Sequence, residues 1–418
     1  MARIRNPYLI LLLLTVAYTL SFMDRYVMNL LLGDVKTDFH LSEMQAGLLA
    51  GAGFAVLYAL MAMPMGIMAD RRGRMRLAAA GVALWSVFTT CCGLSRSFVQ
   101  LILCRVGVGV GEATLTPAAY PVIKSLFRSE RLSTALGIYS AGIYIGSGLA
   151  YWLGGKALVW IRAEHLISYF PAVSFDWQLV FLLFGIPGLV LAALLLLVKA
   201  PVTIAATPFD LHAFKGFLKE HNYRFVKLSL ASALFNVAVY AVGVWLPVYL
   251  QRVHRMSIAD SGALLGATMV FIAPVGAIAG GIIGDLANTR YGVRGRISVV
   301  MISIAMIIAC FIGLAVSSAA HAFYLPLIGL SLLLSVPVAV TVAIVQEMTP
   351  DHMRSTAPAF LITLQNLIGM SLGPTLVAVL TQYVFRDEMS VGLSVSVTGI
   401  CFCILSVIVL RHTQKKFI

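Results

Sequence analysis

The chain has 418 residues, 60% of them hydrophobic and only 11% charged, with a mean hydropathy of +0.94. A water-soluble domain of that size cannot cover so much apolar surface, so lipid is the solvent for most of this protein. The formal charge of +13 suggests a nucleic-acid partner. The basic residues, however, alternate from loop to loop instead of gathering on one segment, which argues against one.

Apolar runs of about 20 residues or more can be laid down twelve times. The first six cover 7–32, 43–69, 77–95, 98–123, 133–155 and 177–198. After a polar interval come 224–251, 257–286, 297–317, 322–346, 354–383 and 390–410. The first run follows Arg3 and Arg5. It is too long for a signal-peptide core and ends without a small-residue cleavage pattern, so it reads as a retained helix. The fold class is therefore an all-α membrane protein with twelve transmembrane helices in two six-helix bundles.

With the N-terminus in the cytoplasm, 21 of the 30 Lys and Arg fall on cytoplasmic segments and 7 on external ones, leaving Arg25 and Arg105 inside the membrane. This positive-inside bias predicts a multi-pass protein of the cell (inner) membrane with both termini cytoplasmic. The six cysteines, Cys91, Cys92, Cys104, Cys310, Cys401 and Cys403, all lie in apolar runs and form no CxxC pair. Buried, inert thiols are expected, with no disulfide framework, no metal and no cofactor.

The two sets of six read as a repeat. Gly66-x-x-x-Asp70, followed by Arg71, Arg72, Arg74 and Arg76, ends the second run; Gly281-x-x-x-Asp285, followed by Arg290, Arg294 and Arg296, ends the eighth. Arg131-x-x-x-Ala135 opens the fifth and Arg354-x-x-Ala357 the eleventh. Offsets near 220 residues at two landmarks argue for a duplication, giving domains 1–199 and 224–418 around a linker at 200–223. Within that linker, Leu211, Phe214, Phe217 and Leu218 share a helical face, with Lys215 and Lys219 toward the other side. That pattern predicts a short amphipathic helix on the inner membrane surface, the alternative being a flexible linker.

Four full charges interrupt the apolar runs: Asp24 and Arg25 in the first, Arg105 and Glu112 in the fourth. An ionisable group in hydrocarbon costs several kcal/mol and is normally kept because it lines a pathway or moves a proton. Arg105 and Glu112, seven residues apart, share a helix face about 10 Å apart along the axis. Asp24 and Arg105 come out at about the same depth, so a salt bridge between them is geometrically possible, with Glu112 nearer mid-membrane. Adjacent Asp24 and Arg25 point about 100° apart, so one of them is expected to face a cavity, and Arg25 is the weaker candidate. A carboxylate that loses or gains an arginine neighbour as helices rock switches its protonation, which would couple protons to conformation. Arg105 would alternatively hold an anionic headgroup; a static ion-pair cluster is the structural alternative.

The second half offers neutral candidates for a cavity wall: Asn236, Tyr240, Trp245, Thr341, Thr363, Gln365 and Asn366. Pro337 and Pro374 are expected bend sites, and Glu347 and Arg354 lie near the cytoplasmic ends. Ionic groups on one side and neutral surface on the other suit an amphiphile. Most of these polar groups would also serve simply as bonds between helices.

Gly66-Ile-Met-Ala-Asp70-Arg71-Arg72-Gly73-Arg74-Met-Arg76 resembles the signature loop of the major facilitator superfamily. Arg105-Val-Gly107-Val-Gly109-Val-Gly111-Glu112-Ala113 resembles that superfamily's fourth-helix motif, RxxxGxGxA. Those glycines do not fit a dinucleotide GxGxxG spacing, and close helix packing is the better use for them. The resemblance implies a cytoplasmic latch built from Gly66, Asp70, Arg71, Gly73, Arg74, Asp285, Arg131 and Arg354, with Asp70 accepting the N-terminal amides of a neighbouring helix.

Phe22-Met-Asp24-Arg25-Tyr26, Gly109-Val-Gly-Glu112-Ala113, Ser125-Leu-Phe127…Arg131 and Gly142-Ile-Tyr144-Ile-Gly146-Ser-Gly148-Leu-Ala-Tyr151 are similar to the spinster family. That resemblance implies secondary transport of a lysolipid or similar amphiphile, coupled to protons, with Asp24, Glu112 and Arg105 as working groups. Arg25, Tyr26 and Tyr144 join Arg105 and Glu112 as substrate contacts. The lack of an N-x-Ser/Thr sequon suggests a bacterial member, surrounded by membrane lipid and acting as a monomer. An organic-anion symporter with a similar DR-type first helix and GxxEA fourth helix is the runner-up, although the second half lacks a mid-membrane basic residue to clamp a small dianion. Drug efflux is third, since the fifth helix lacks a glycine–proline antiporter pattern. A transport-dead lipid sensor is the alternative from another class. No nucleophile–base or metal constellation suggests an enzyme.

Overall fold

Hydrocarbon offers no partner to backbone N–H and C=O groups, so a chain this apolar satisfies them internally as helix. The computed structural model describes residues 5–41, 45, 49, 53–198, 211–220, 222–316 and 322–414. Its first helices are α1 (Pro7–Asp38), α2 (Gly53–Arg72), α3 (Arg74–Cys92), α4 (Phe98–Glu112), α5 (Leu115–Leu126), α6 (Ser129–Ala163), α7 (Asp176–Leu196) and α8 (Leu211–Glu220). There follow α9 (Lys227–Arg252), α10 (Ile258–Ala267), α11 (Ala273–Tyr291), α12 (Val293–Val316), α13 (Tyr324–Leu333), α14 (Val336–Met348), α15 (Thr356–Val379) and α16 (Val391–Gln414). Among the described residues, ten helical stretches are long and apolar enough to cross a membrane. With α2, whose apolar part is Leu60–Asp70, and the 35-residue α6, they make the twelve-span arrangement.

Where the elements differ from expectation, the cause is local. The fourth run breaks between α4 and α5 at Ala113–Thr114, four residues before Pro117, whose ring excludes a helical carbonyl at that distance and whose nitrogen has no proton to donate. Pro337 acts likewise between α13 and α14, whereas α15 runs through Pro374. α1 extends six residues past the apolar run because nothing in Gly33–Asp38 breaks a helix, and it stops before His40, at φ +50°. α6 continues to Ala163, which places Lys156 within a helix instead of in an external loop.

By contacts the chain forms two units. The first comprises Met1–Leu126, Gly142–Thr207 and Arg354–Ala359; the second comprises Phe127–Ala141, Pro208–Met353 and Phe360–Ile418. Within the first, Met23, Val27, Met28 and Leu31 of α1 share a core with Trp177, Phe181 and Phe184 of α7. Trp177 Nε1 donates to Asp38 Oδ2 at 2.9 Å. Within the second, α9 and α16 are tied by Ser406 Oγ donating to the Ala231 carbonyl at 2.8 Å.

The short helix α8 lies in the polar interval between the two sets of six runs. Phe214 and Phe217 are 2% and 5% exposed and pack on Phe360 (6.0 Å between ring centroids) and Phe225 (5.2 Å). These two rings cover protein of the second unit. Residues 199–210 of the linker, and the side chain of Leu211, lie outside the described residues.

The turns joining α2 to α3 and α11 to α12 both bend at a glycine with positive φ, Gly73 at +94° and Gly292 at +61°. Side chains avoid that region. The repeat is therefore visible in backbone conformation as well as in charge.

Candidate functional site

The four charges of the apolar runs all lie in the first unit. Asp24 is 2% exposed, Arg105 1% and Glu112 2%, while the Arg25 side chain keeps 22%. Of the adjacent pair on α1, Arg25 is thus the one that reaches open space. Its Nη2 lies 2.6 Å from Glu112 Oε2. The guanidinium carbon sits 4.4 Å from the Phe22 ring centroid and 4.7 Å from that of Tyr58, two cation–π contacts that help to hold the fork in place. The residue ranked weakest in the sequence has the most direct partner.

Arg105 and Asp24 do meet, as their depths suggest, but through the backbone: Arg105 Nη1 donates to the Asp24 carbonyl oxygen at 3.2 Å. The Asp24 carboxylate accepts instead from Thr89 Oγ1 of α3, at 3.0 Å. Asp24 Oδ1 and Glu112 Oε1 have no hydrogen-bond partner among the described residues. Each carboxyl therefore keeps one oxygen able to take a proton without breaking an existing bond.

Tyr26 extends the aromatic surface. Its ring lies 6.3 Å from Phe22 and 5.8 Å from Tyr151 of α6, and Tyr18 meets Phe22 edge-on at 5.1 Å. Tyr144 lies on α6, half-buried. A guanidinium fork with rings on its flanks offers an anion site beside apolar faces. Tyr58 and Thr89 were not singled out in the sequence, since an isolated tyrosine or threonine in an apolar run carries no periodic signal.

In the second unit Tyr240, Trp245 and Gln365 bond to a neighbouring helix, whereas Asn236 bonds within its own. Tyr240 Oη donates to Asn366 Oδ1 at 2.6 Å, joining α9 to α15, and Trp245 Nε1 donates to the Pro374 carbonyl at 3.0 Å. Asn236 Nδ2 donates to the Ser232 carbonyl at 2.9 Å, and Gln365 Nε2 to Ser232 Oγ at 2.6 Å. Thr341 is 4% exposed, beside a small apolar void, and Thr363 is half-buried on α15.

Two carboxylates each accept a pair of successive main-chain amides. Asp70, at the end of α2, accepts the amides of Ser355 (3.2 Å) and Thr356 (3.1 Å) at the start of α15, and Arg74 Nη2 donates to it at 3.0 Å. Gly66 makes this approach feasible, since a Cβ there would stand 2.9 Å from the Ser355 carbonyl. Asp285, on α11, accepts the amides of Ser133 (2.9 Å) and Thr134 (2.8 Å) on α6 and a bond from Arg296 Nη2 at 2.9 Å. A Cβ at Gly281 would stand 2.4 Å from the Ser133 carbonyl. Main-chain amides that donate to a carboxylate make some of the stronger hydrogen bonds of a fold. Arg296 also pairs with Glu347, which in turn accepts from Ser129 Oγ. Arg131 lies in the first turn of α6 and Arg354 two residues before α15, whereas the Arg71 side chain lies outside the described residues.

The sequence family described as the Major Facilitator Superfamily matches residues 14–374. The chain belongs to the major facilitator superfamily. It is similar to an MFS-type efflux pump of Mycolicibacterium smegmatis, 27% identical over 386 residues covering 88% of this chain and 83% of that one. It is also similar to protein spinster of Drosophila melanogaster, 25% identical over 404 residues covering 91% of this chain and 63% of the fly protein. Among solved structures, a bacterial homologue of the human lysosomal transporter spinster, inward-facing and unoccupied, superposes with a TM-score of 0.62 at 24% identity. That match covers 98% of this chain and 95% of the other. The chain is thus a superfamily transporter with similarity to spinster proteins, not an enzyme.

Proposed function

We propose that this transporter works by alternating access, carries an amphiphile with an anionic headgroup, and couples that movement to protons through Glu112 and Asp24. The observation that carries the reading is the Arg25–Glu112 pair, 2.6 Å long with Glu112 Oε1 unbonded. A proton on that oxygen neutralises the carboxyl and weakens its hold on Arg25. The guanidinium is then available to a phosphate or carboxylate, for which its planar fork is shaped. When the anion leaves, Glu112 loses its proton and takes Arg25 back. The aromatic rings of Phe22, Tyr26 and Tyr58 offer apolar faces to the remainder of such a substrate.

In this reading Asp24 is a second proton site, held by Thr89, and Arg105 sets the spacing of α1 and α4 through the Asp24 carbonyl. The Asp70 and Asp285 caps form the cytoplasmic latch, released and remade as the access side changes. The protein lies in the cell's inner membrane with both termini cytoplasmic, as its basic residues are distributed, and acts as a monomer.

The test is uptake into sealed proteoliposomes with and without an imposed pH gradient, comparing a lysophospholipid with a dicarboxylate. Gradient-dependent accumulation of the lysophospholipid is expected. Accumulation of the dicarboxylate alone would make this an organic-anion symporter, and binding without flux would make it a sensor.

A further inference from the structure

Lys156 sits on α6 seven residues before its end at Ala163, roughly 10 Å along the axis. The face around it is otherwise apolar and exposed: Trp152 at 57%, Leu153 at 39%, Trp160 at 55%. Trp152, Lys156 and Trp160 follow one another at four-residue steps and so form one stripe. The ammonium lies 4.5 Å from the Trp152 ring centroid, folded back along the helix instead of reaching past its end. The carboxylates Asp34 and Asp176 pair with Arg162, and Lys156 has no carboxylate partner among the described residues.

Beside this lysine is an apolar groove of about 460 Å³. It is formed by Leu20 and Met23 of α1, Leu153 and Ala157 of α6, and Leu183 and Pro187 of α7, and Lys156 is the only charged residue among those described that line it. That volume is within the range of pockets that hold whole small ligands. On the surface of a membrane-spanning bundle the available filler is an acyl chain. An ammonium whose contact among the described residues is one ring face, at the edge of an apolar groove, suits the anionic end of a molecule whose chain fills that groove.

We propose that this groove binds one anionic phospholipid of the surrounding bilayer, with an acyl chain along the groove and the phosphate on Lys156 Nζ between the two indoles. The site lies in the first unit and uses none of the residues assigned above to transport, so the two readings stand or fall separately.

The test places the full-length protein in phosphatidylcholine vesicles containing either dibrominated phosphatidylglycerol or dibrominated phosphatidylcholine, because bromine quenches an indole it touches. The signal of Trp152 and Trp160 is the difference between the wild type and a Trp152→Phe/Trp160→Phe variant. Half-quenching is expected at about fivefold lower content of the glycerol lipid than of the choline lipid, the ratio that about 1 kcal/mol per lysine near an anionic surface provides. Lys156→Gln brings the ratio to one, and Lys156→Arg keeps it. Ala157→Phe, which fills the groove, lowers quenching by both lipids. Circular dichroism and elution volume identify any variant that fails to fold. Equal quenching by both lipids in the wild type, a preference that survives Lys156→Gln, or unchanged quenching in Ala157→Phe overturns the proposal.

Discussion

The guanidinium of Arg25 meets the carboxylate of Glu112 at 2.6 Å between α1 and α4, and contacts the rings of Phe22 and Tyr58. A buried carboxylate left without its arginine, or the reverse, costs about 3–5 kcal/mol; here the 22% exposure of Arg25 lowers that figure. Glu112→Gln keeps a hydrogen-bond acceptor for Arg25 and removes the titratable group. Accumulation driven by a pH gradient is expected to fall at least tenfold in this variant, while substrate exchange at equal pH persists. Gradient-driven accumulation at the wild-type level would remove Glu112 from the coupling.

Asp70 and the start of α15 make a second expectation. An amide in place of the carboxylate keeps the shape and loses the charge that two main-chain amides and Arg74 share. Removing a helix cap of this kind costs about 1 kcal/mol. Asp70→Asn is therefore expected to lower thermal stability modestly and transport more strongly, since the cap joins segments 285 positions apart. Thermal unfolding and flux in the same preparation separate the two effects. A variant with normal flux would leave the cap a purely structural device.

Much of this was legible in the sequence, for physical reasons that also mark where reading stopped. Charges at 24, 25, 105 and 112 stand out because each is costly in an apolar run, and the Asp70 and Asp285 motifs because they repeat with their glycines. Which charge pairs with which was not legible. A 100° step between Asp24 and Arg25 says that they diverge, while the long arginine side chain decides what is reached. The face of α8 was seen correctly as apolar, yet Phe214 and Phe217 would look the same against lipid as against Phe225 and Phe360. Glu347 was placed near a helix end with no hint of Arg296, because a contact between α12 and α14 leaves no periodic trace.

Gly281 and Gly33 offer a contrast within one residue type. A methyl group at 281 would stand 2.4 Å from the Ser133 carbonyl, whereas nothing lies within 4 Å at 33. Gly281→Ala forces α11 and α6 apart and is expected to cost about 1–3 kcal/mol. Gly33→Ala on α1 is expected to be neutral or to stabilise by up to about 1 kcal/mol through helix propensity. Melting temperatures of the two variants in one detergent check this, and equal values would contradict the close approach.

His254, in the turn after α9, accepts or donates one bond with Tyr249 Oη at 2.8 Å and lies against the Phe323 ring, 3.9 Å between centroids. Burial pushes its pKa below the usual histidine value, because the charged ring is the form that loses water. A group whose pKa is lower folded than unfolded contributes stability that is complete above the unfolded value, near 6.5, and is lost as pH falls through it toward the folded one. Thermal stability is expected to decline below about pH 6.5, and His254→Phe to flatten part of that decline. An identical pH profile in the variant would assign the decline to other groups.

Arg296 and Arg162 both bridge two carboxylates, but only Arg296 is sealed from solvent, at 0% side-chain exposure against 49%. Water and salt screen the Arg162 pairs with Asp34 and Asp176, and surface bridges of this kind contribute about 0–1 kcal/mol. Arg162→Ala is therefore expected to change unfolding by less than 1 kcal/mol, an effect that shrinks further in high salt. Arg296→Ala removes the buried guanidinium that Asp285 and Glu347 share, so a loss of about 3–5 kcal/mol is expected. Arg296→Met, which fills the space without the charge, is expected to do no better, because both carboxylates remain. The double variant Asp285→Asn/Glu347→Gln in the Arg296→Met background is expected to recover part of the loss, since removing all partners of a buried network costs less than removing one. Denaturant titration of the four proteins measures the difference. Equal destabilisation by Arg296→Ala and Arg162→Ala would mean that burial does not govern the strength of these bridges.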